Sequence, residues 1–213
     1  MRSIAKLMKD WQFTGPNGVT TAVELPHTWN ARDGQDGGND YYRGCCTYCT
    51  RFGAPVYDPA QQQVWLQFEG VNASAAVLLN GQQLCTHDGG YSTFRAEVTE
   101  LLQAENQLTV RVDNSVNDRV YPQKADFTFY GGIYRDVSLL VVNKNHIALG
   151  HFGDTGVKIT PALQENSADI QVETLVEGSG TVTVELLDAE GRTVAKGEGE
   201  NTFLHLDAPH LWN

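Results

Sequence analysis

Apolar and polar residues alternate again and again along this chain, in short runs bounded by Gly, Asn, Asp and Pro. No stretch sustains an apolar pattern at the 3.6-residue helical period. Successive side chains of a strand point to opposite faces, so alternation describes half-buried strands whose apolar faces must be covered by another sheet. Val64, Leu66 and Phe68 share one face of a strand predicted over residues 63–71. Leu108, Val110 and Val112 do the same over residues 106–114, with Thr109, Arg111 and Asp113 facing out. Two further runs, 75–79 and 82–85, flank Asn80-Gly81, a pair that tolerates positive φ and predicts a hairpin closed by a type I′ turn. Strands are also predicted at 20–25, 43–52, 93–98 and 133–142, with 98–102 as an alternative short helical turn. The sum is an all-β protein with enough antiparallel strands for a two-sheet sandwich of jelly-roll type.

Alternation pauses at Asn143-Lys144-Asn145-His146 and resumes at residues 157–159, 170–172, 182–186 and 203–206, with turn signals about every dozen residues. This places a jelly-roll domain at 1–145 and an immunoglobulin-like β-sandwich at 146–213. The second segment is shorter than the roughly 100 residues such a sandwich needs, so it is expected to be truncated. A sandwich lacking strands exposes sheet edges and an apolar inner face, so the second domain is expected to pair with another copy, as a homo-oligomer, or to be poorly ordered.

Charge narrows the partners. Fifteen basic and 26 acidic side chains leave a formal net charge of −11 with no basic patch. That balance argues against a nucleic-acid backbone or an anionic membrane and favours a neutral or weakly charged small molecule. Lys6, Lys9 and Asp10 interrupt the apolar run near the N-terminus, and no segment reaches the roughly 20 apolar residues that span a bilayer, so a soluble, cytoplasmic chain is expected. Cys45, Cys46, Cys49 and Cys85 invite a zinc reading through Cys46-x-x-Cys49 with Cys85 and His87. Strand alternation sends Cys46 and Cys49 to opposite faces, so free thiols and no metal are expected.

Three ordered blocks resemble the sugar-binding domain of glycoside hydrolase family 2, the family of β-galactosidases and β-glucuronidases. The first is Leu25-Pro26-His27-Thr28-Trp29-Asn30 with Tyr41-Tyr42-Arg43-Gly44. The second runs from Phe68-Glu69-Gly70-Val71 through Leu79-Asn80-Gly81 and Gly89-Gly90-Tyr91-Ser92-Thr93-Phe94 to Asn106-Gln107-Leu108. The third is Tyr130-Gly131-Gly132-Ile133-Tyr134-Arg135-Asp136-Val137. The resemblance implies a galactose-binding-like jelly roll that braces a C-terminal (β/α)₈ barrel and contributes a loop to the pocket for a carbohydrate substrate. In that family two glutamates on the barrel perform a retaining double displacement. This chain lacks a barrel's repeating βα pattern, so it is expected to hold no catalytic residue, to need no cofactor and to be inactive alone. A free-standing carbohydrate-binding module is the rival reading.

The resemblance also marks Asp126 as similar to a family aspartate that contacts sugar hydroxyls, a task suited to a carboxylate because it accepts two charge-assisted hydrogen bonds. The bland alternative is a solvated loop aspartate. The run from Asp33 to Asp40 is rich in Asp and Gly. Its oxygens suit calcium or sugar, but it lacks the spacing of an EF-hand loop, and a plain polar loop fits as well. Asn39 and Asp40 are its candidate sugar contacts. Tyr91 and Phe94 are expected to anchor the Gly89-Gly90 turn rather than to stack on sugar. Arg135 and Asp136 are expected to be structural, and His27 and His87 have no evident partner in the sequence.

Overall fold

A computed structural model describes residues 2–33, 41–121 and 128–211. The chain divides into two compact units, Met1–Asn143 with His151–Gly153, and Lys144–Gly150 with Asp154–Asn213.

The first unit contains β1 (Arg2–Lys6), β2 (Trp11–Thr14), β3 (Thr20–Val23), β4 (His27–Thr28), β5 (Cys45–Gly53), β6 (Gln62–Phe68), β7 (Val71–Asn72), β8 (Ser74–Leu79), β9 (Gln82–Asp88), β10 (Phe94–Glu97), β11 (Glu105–Asp113), β12 (Gly132–Ile133) and β13 (Val137–Asn143). One sheet has the order β1-β13-β6-β10, another β3-β2-β5-β11-β8-β9, and a small sheet has the order β4-β12-β7. Non-consecutive neighbours such as β5 and β11, paired over their full lengths from Cys45↔Asp113 to Gly53↔Glu105, give the jelly-roll character. Val64, Leu66 and Phe68 from one sheet and Leu108, Val110 and Val112 from the other are all fully buried, and they meet in one core with Trp11, Tyr48 and Phe94. Each burial follows from the alternation of its strand, since the intervening residues are exposed or half-buried.

The hairpin between β8 and β9 turns at Asn80 (φ 51°) and Gly81 (φ 82°), as its sequence predicts. Asn80 adds a tertiary role: its side chain donates to the Leu101 carbonyl and accepts from the Gln107 amide, tying the turn both to the segment before β11 and to β11 itself. A 3₁₀ turn occupies Thr99–Leu101. On β5, Cys46 is buried while Cys49 lies on the other face and accepts hydrogen bonds from Thr109 and Gln107. Burial pushes the Cys46 and Cys85 thiols up to about 11, so both stay protonated and unreactive at neutral pH.

Some expectations are corrected. β1 and β2 are strands although the sequence predicts neither. All five β1 residues are exposed, and its place is set by antiparallel pairing with β13 rather than by an apolar face. His87 does have partners: its Nε2 donates to the Gly89 carbonyl at 3.1 Å and its ring stacks on Phe94. His27 Nδ1 lies 2.7 Å from the Tyr48 hydroxyl. Phe94 is the anchor expected beneath the Gly89-Gly90 turn, stacked on Phe68 at 4.8 Å, but Tyr91 is half-exposed because it lies in the turn, before the strand alternation begins. Arg135 donates to the Glu69 and Tyr91 carbonyls and Asp136 pairs with Lys6, both structural contacts.

The second unit contains β14 (His146–Ile147), β15 (Val157–Leu163), β16 (Ser167–Thr174), β17 (Val176–Glu177), β18 (Thr183–Leu187), β19 (Thr193–Glu198) and β20 (Asn201–Asp207). A sheet β15-β16-β20 stands with the hairpin β18-β19 and the pair β14-β17, a partial immunoglobulin-like sandwich. Val172 and Leu204 are buried, yet Ile159, directly across from Val172, is 64% exposed. An open apolar gap of about 300 Å³ separates Ile159, Val172 and Leu204 from Val184 and Leu186 of the hairpin.

Candidate functional site

Asp126, Asn39 and Asp40, the three candidate sugar contacts, lie outside the described residues, as does all of the Asp/Gly-rich run except Asp33. The residues that flank these segments are described, and they converge. Asp33 precedes the first segment and Tyr41 and Tyr42 follow it; Phe129, Tyr130 and Gly131 come shortly after the second.

Two asparagines with no solvent exposure hold these flanks. Asn30 follows the two-residue strand β4, where Thr28 Oγ1 donates to the Gly131 carbonyl at 2.8 Å. The Asn30 Nδ2 donates to Asp33 Oδ2 at 2.5 Å and to the Tyr42 carbonyl at 2.8 Å. Its Oδ1 accepts the Gly131 amide at 2.7 Å and Asn114 Nδ2 at 3.2 Å. Asn114 sits immediately after β11; its Nδ2 also donates to the Phe129 carbonyl at 3.1 Å, and its Oδ1 accepts the Gly44 amide at 2.9 Å. A buried amide without partners is costly, about 1–3 kcal/mol for each unsatisfied group, and here every donor and acceptor of Asn30 is used.

Around this centre Tyr41 donates to the Phe129 carbonyl at 2.6 Å, and Asp33 Oδ2 also accepts the Tyr42 amide at 3.2 Å. Arg43 Nε donates to the Asn114 carbonyl at 2.8 Å while its guanidinium lies 5.6 Å from the Phe129 ring centroid, a cation–π geometry. Asn72 Nδ2 donates to the Tyr130 carbonyl at 2.7 Å. Burial raises the Tyr41 and Tyr42 hydroxyls above the usual tyrosine range, so both remain neutral.

Beneath the flanks lies an aromatic bed in which Phe13 stacks on Trp29 at 6.0 Å and packs against His27 and Tyr48. Its closeness explains the Gly131-Gly132 pair. A methyl group at Gly131 would sit 2.0 Å from the Trp29 indole, and Gly132 adopts φ 140° against the His27 carbonyl. Desolvation lowers the His27 pKa, so the ring is neutral when it meets the Tyr48 hydroxyl.

Chemically, the described part of this site is a scaffold. Its one acidic side chain, Asp33, is committed through Oδ2 to two hydrogen bonds, and among the described residues no group of three or more His, Cys, Asp or Glu converges as metal ligands. Asn30 and Asn114 carry no role in the sequence reading. An asparagine at a strand end reads as a turn residue, and only the sheet pairing reveals that two of them meet across 84 positions.

A family model described as the glycosyl hydrolase 2 galactose-binding domain-like domain matches residues 41–162. Among curated relatives, a beta-glucuronidase of Bacteroides fragilis is 32% identical over 97% of this chain, and a putative beta-glucuronidase of Formosa agariphila is 34% identical over 99%. Among solved structures, an FMN-binding beta-glucuronidase from Facaelibacterium prausnitzii superposes with a TM-score of 0.90 at 34% identity over 100% of this chain. A putative beta-galactosidase from Bacteroides fragilis does so with 0.87 at 32% over 99%. The chain spans 33% and 26% of the two curated relatives and 35% and 36% of the two solved chains.

Proposed function

The chain belongs to the glycosyl hydrolase 2 family, and we propose that it is the non-catalytic N-terminal part of a β-glycosidase acting on β-glucuronides or β-galactosides. Its role is to brace a catalytic barrel and to contribute sugar contacts to the barrel's pocket. Asp126 is the leading contact, with Asn39 and Asp40 beside it. The observation that carries this reading is the buried pair Asn30–Asn114, which ties the flanks of the Asn39/Asp40 segment to those of the Asp126 segment. Two fully buried amides thus join the described flanks of both segments, which supports a composite sugar pocket.

The bond-breaking carboxylates belong to the barrel, so the 213-residue chain alone should leave a chromogenic β-glucuronide and β-galactoside intact. The same polypeptide joined to its barrel should cleave one of them, and Asp126→Ala should raise KM by about tenfold or more through loss of a charge-assisted hydrogen bond. Enzyme-like turnover by the isolated chain would refute this reading. Saturable sugar binding by the isolated chain, abolished in Asp126→Ala, would instead establish a free-standing carbohydrate module.

Association with a second copy belongs to the same proposal. Ile159 and Leu163 are 64% and 60% exposed although they face the buried Val172 and Ala168 across β15 and β16, and such a surface favours a covering partner. Sedimentation of the purified chain should show a mass that rises with concentration, and a strictly monomeric profile would remove this part.

A further inference from the structure

We propose that Asn80 is a latent modification site: its side chain closes on the Gly81 nitrogen to a succinimide, and so becomes isoaspartate or aspartate, when the tertiary hydrogen bonds that hold its carboxamide open. The proposal concerns the first unit alone and stands independently of the glycosidase reading.

The reactive pair belongs to the β8–β9 turn. Gly81 follows Asn80 with no side chain to shield its nitrogen, and a methyl group placed on it would meet nothing within 4 Å. Once base removes the Gly81 amide proton, the nitrogen attacks Asn80 Cγ. The N–Cγ bond forms, the Cγ–Nδ2 bond breaks, and Nδ2 takes up a proton and leaves as ammonia. Water then opens the ring at one carbonyl to give isoaspartate or at the other to give aspartate. Water is the sole co-reactant.

The fold opposes these steps. Asn80 Nδ2 donates to the Leu101 carbonyl and to Asn106 Oδ1, both at 3.0 Å, and Oδ1 accepts the Gln107 amide at 2.9 Å. Attack turns Cγ from planar to tetrahedral, which partners fixed in the plane of the carboxamide resist. The two acceptors beside Nδ2 also supply no proton for its departure. The Gln107 amide polarises the carbonyl and alone would favour attack, but it acts on a group that the other two contacts hold in place.

Asn106 sets how firmly the carboxamide is held. It is buried, donates through Nδ2 to the Gln103 carbonyl at 2.7 Å and accepts the Gln103 amide at 2.9 Å, so its Oδ1 is fixed where it meets Asn80. Reaction therefore waits on local release of the turn from Leu101, Asn106 and Gln107, not on global unfolding. It is also one-way. A carboxylate at position 80 has no donors and faces two oxygens, and isoaspartate adds a backbone carbon to a two-residue turn. The modified hairpin lacks the contacts that would reclose it.

The test ages the 213-residue chain at mildly alkaline pH and follows isoaspartate at position 80 by peptide mapping, beside a free peptide of residues 76–84. The native chain should react more slowly than the peptide by about tenfold or more, since only its open fraction is reactive. Asn106→Ala removes one acceptor and should raise the native rate by about fivefold or more, whereas Leu66→Ala, a core truncation that lowers global stability, should leave it within about twofold. Asn80→Gly keeps a residue that tolerates positive φ and should yield no product at this turn. Equal rates in chain and peptide overturn the proposal, because the hydrogen bonds then protect nothing. A Leu66→Ala rate as high as that of Asn106→Ala also overturns it, because global unfolding is then the gate. If Asn106→Ala does not fold, Asn106→Ser takes its place; if neither folds, the native-to-peptide ratio and the Leu66→Ala rate decide by the same limits.

Discussion

Trp11, Tyr48, Phe68 and Phe94 lose all solvent exposure in the first unit, whereas in the second Ile159 and Leu163 keep 64% and 60% of theirs on the same face as buried neighbours. Both units are built from alternating antiparallel strands, so local pattern does not separate them. The difference is cover. In the first unit a four-stranded and a six-stranded sheet contribute to one core; in the second, the hairpin β18-β19 leaves a gap of about 300 Å³ against the sheet β15-β16-β20. Alternation creates a demand for burial that only a second layer meets, and the second unit meets it in part.

The strongest challenge to this contrast is a pair of truncations. Leu66→Ala, at a fully buried position in β6, should cost about 2–5 kcal/mol by urea unfolding through lost transfer energy and a residual cavity. Ile159→Ala should cost under about 1 kcal/mol, since its side chain is largely hydrated already. Equal losses would mean that the exposed face of the second unit is covered in solution.

Glycines offer a smaller contrast of the same kind. Gly131→Ala drives a methyl into Trp29 and should destabilise the first unit by about 1–3 kcal/mol, read as a lower thermal midpoint. Gly180→Ala in the second unit meets nothing within 4 Å, and its backbone is outside the left-handed region, so it should be neutral or stabilising by up to about 1 kcal/mol.

Acid should act on the two units with opposite sign, and this is the smallest effect. Desolvation lowers the pKa of His27 and of His87 below the usual 6.5, so between their folded and unfolded values the unfolded chain binds more protons. Their contribution is complete above about pH 6.5 and declines as pH falls below it. His205 is raised, chiefly by its hydrogen bond to Asp169, so its contribution is complete below about pH 6.5 and declines as pH rises through its folded value. Urea midpoints at pH 7.5 and 5.5 should therefore fall for the first unit on acidification and hold or rise slightly for the second, whose exposed pair is screened by solvent. His87→Phe should flatten part of the first unit's response.

Much of this architecture can be read along the chain. The alternation at Val64-Leu66-Phe68 and Leu108-Val110-Val112, the Asn80-Gly81 turn and the helical turn near Thr99 are local properties, because strand period and turn torsions are set by residues within a few positions of one another. The family blocks are legible for a related reason: Gly131-Gly132 and the Tyr41-Tyr42-Arg43-Gly44 run are constrained by close packing that leaves a mark in residue type.

Other features required partners distant in sequence. β1 has no buried face and exists through its pairing with β13; Tyr91 and Phe94 look alike in the sequence and differ in burial because only one falls after the strand begins. His87 gains its role from Phe94, and Asn30 from residues up to 101 positions away. A polar residue carries its hydrogen-bonding capacity in its identity but not its partners, and for a buried amide the partners decide the function. Period and turn chemistry thus follow from the order of residues, while which faces are covered and which buried amides meet follow from the packing of sheets, where contacts are made across space.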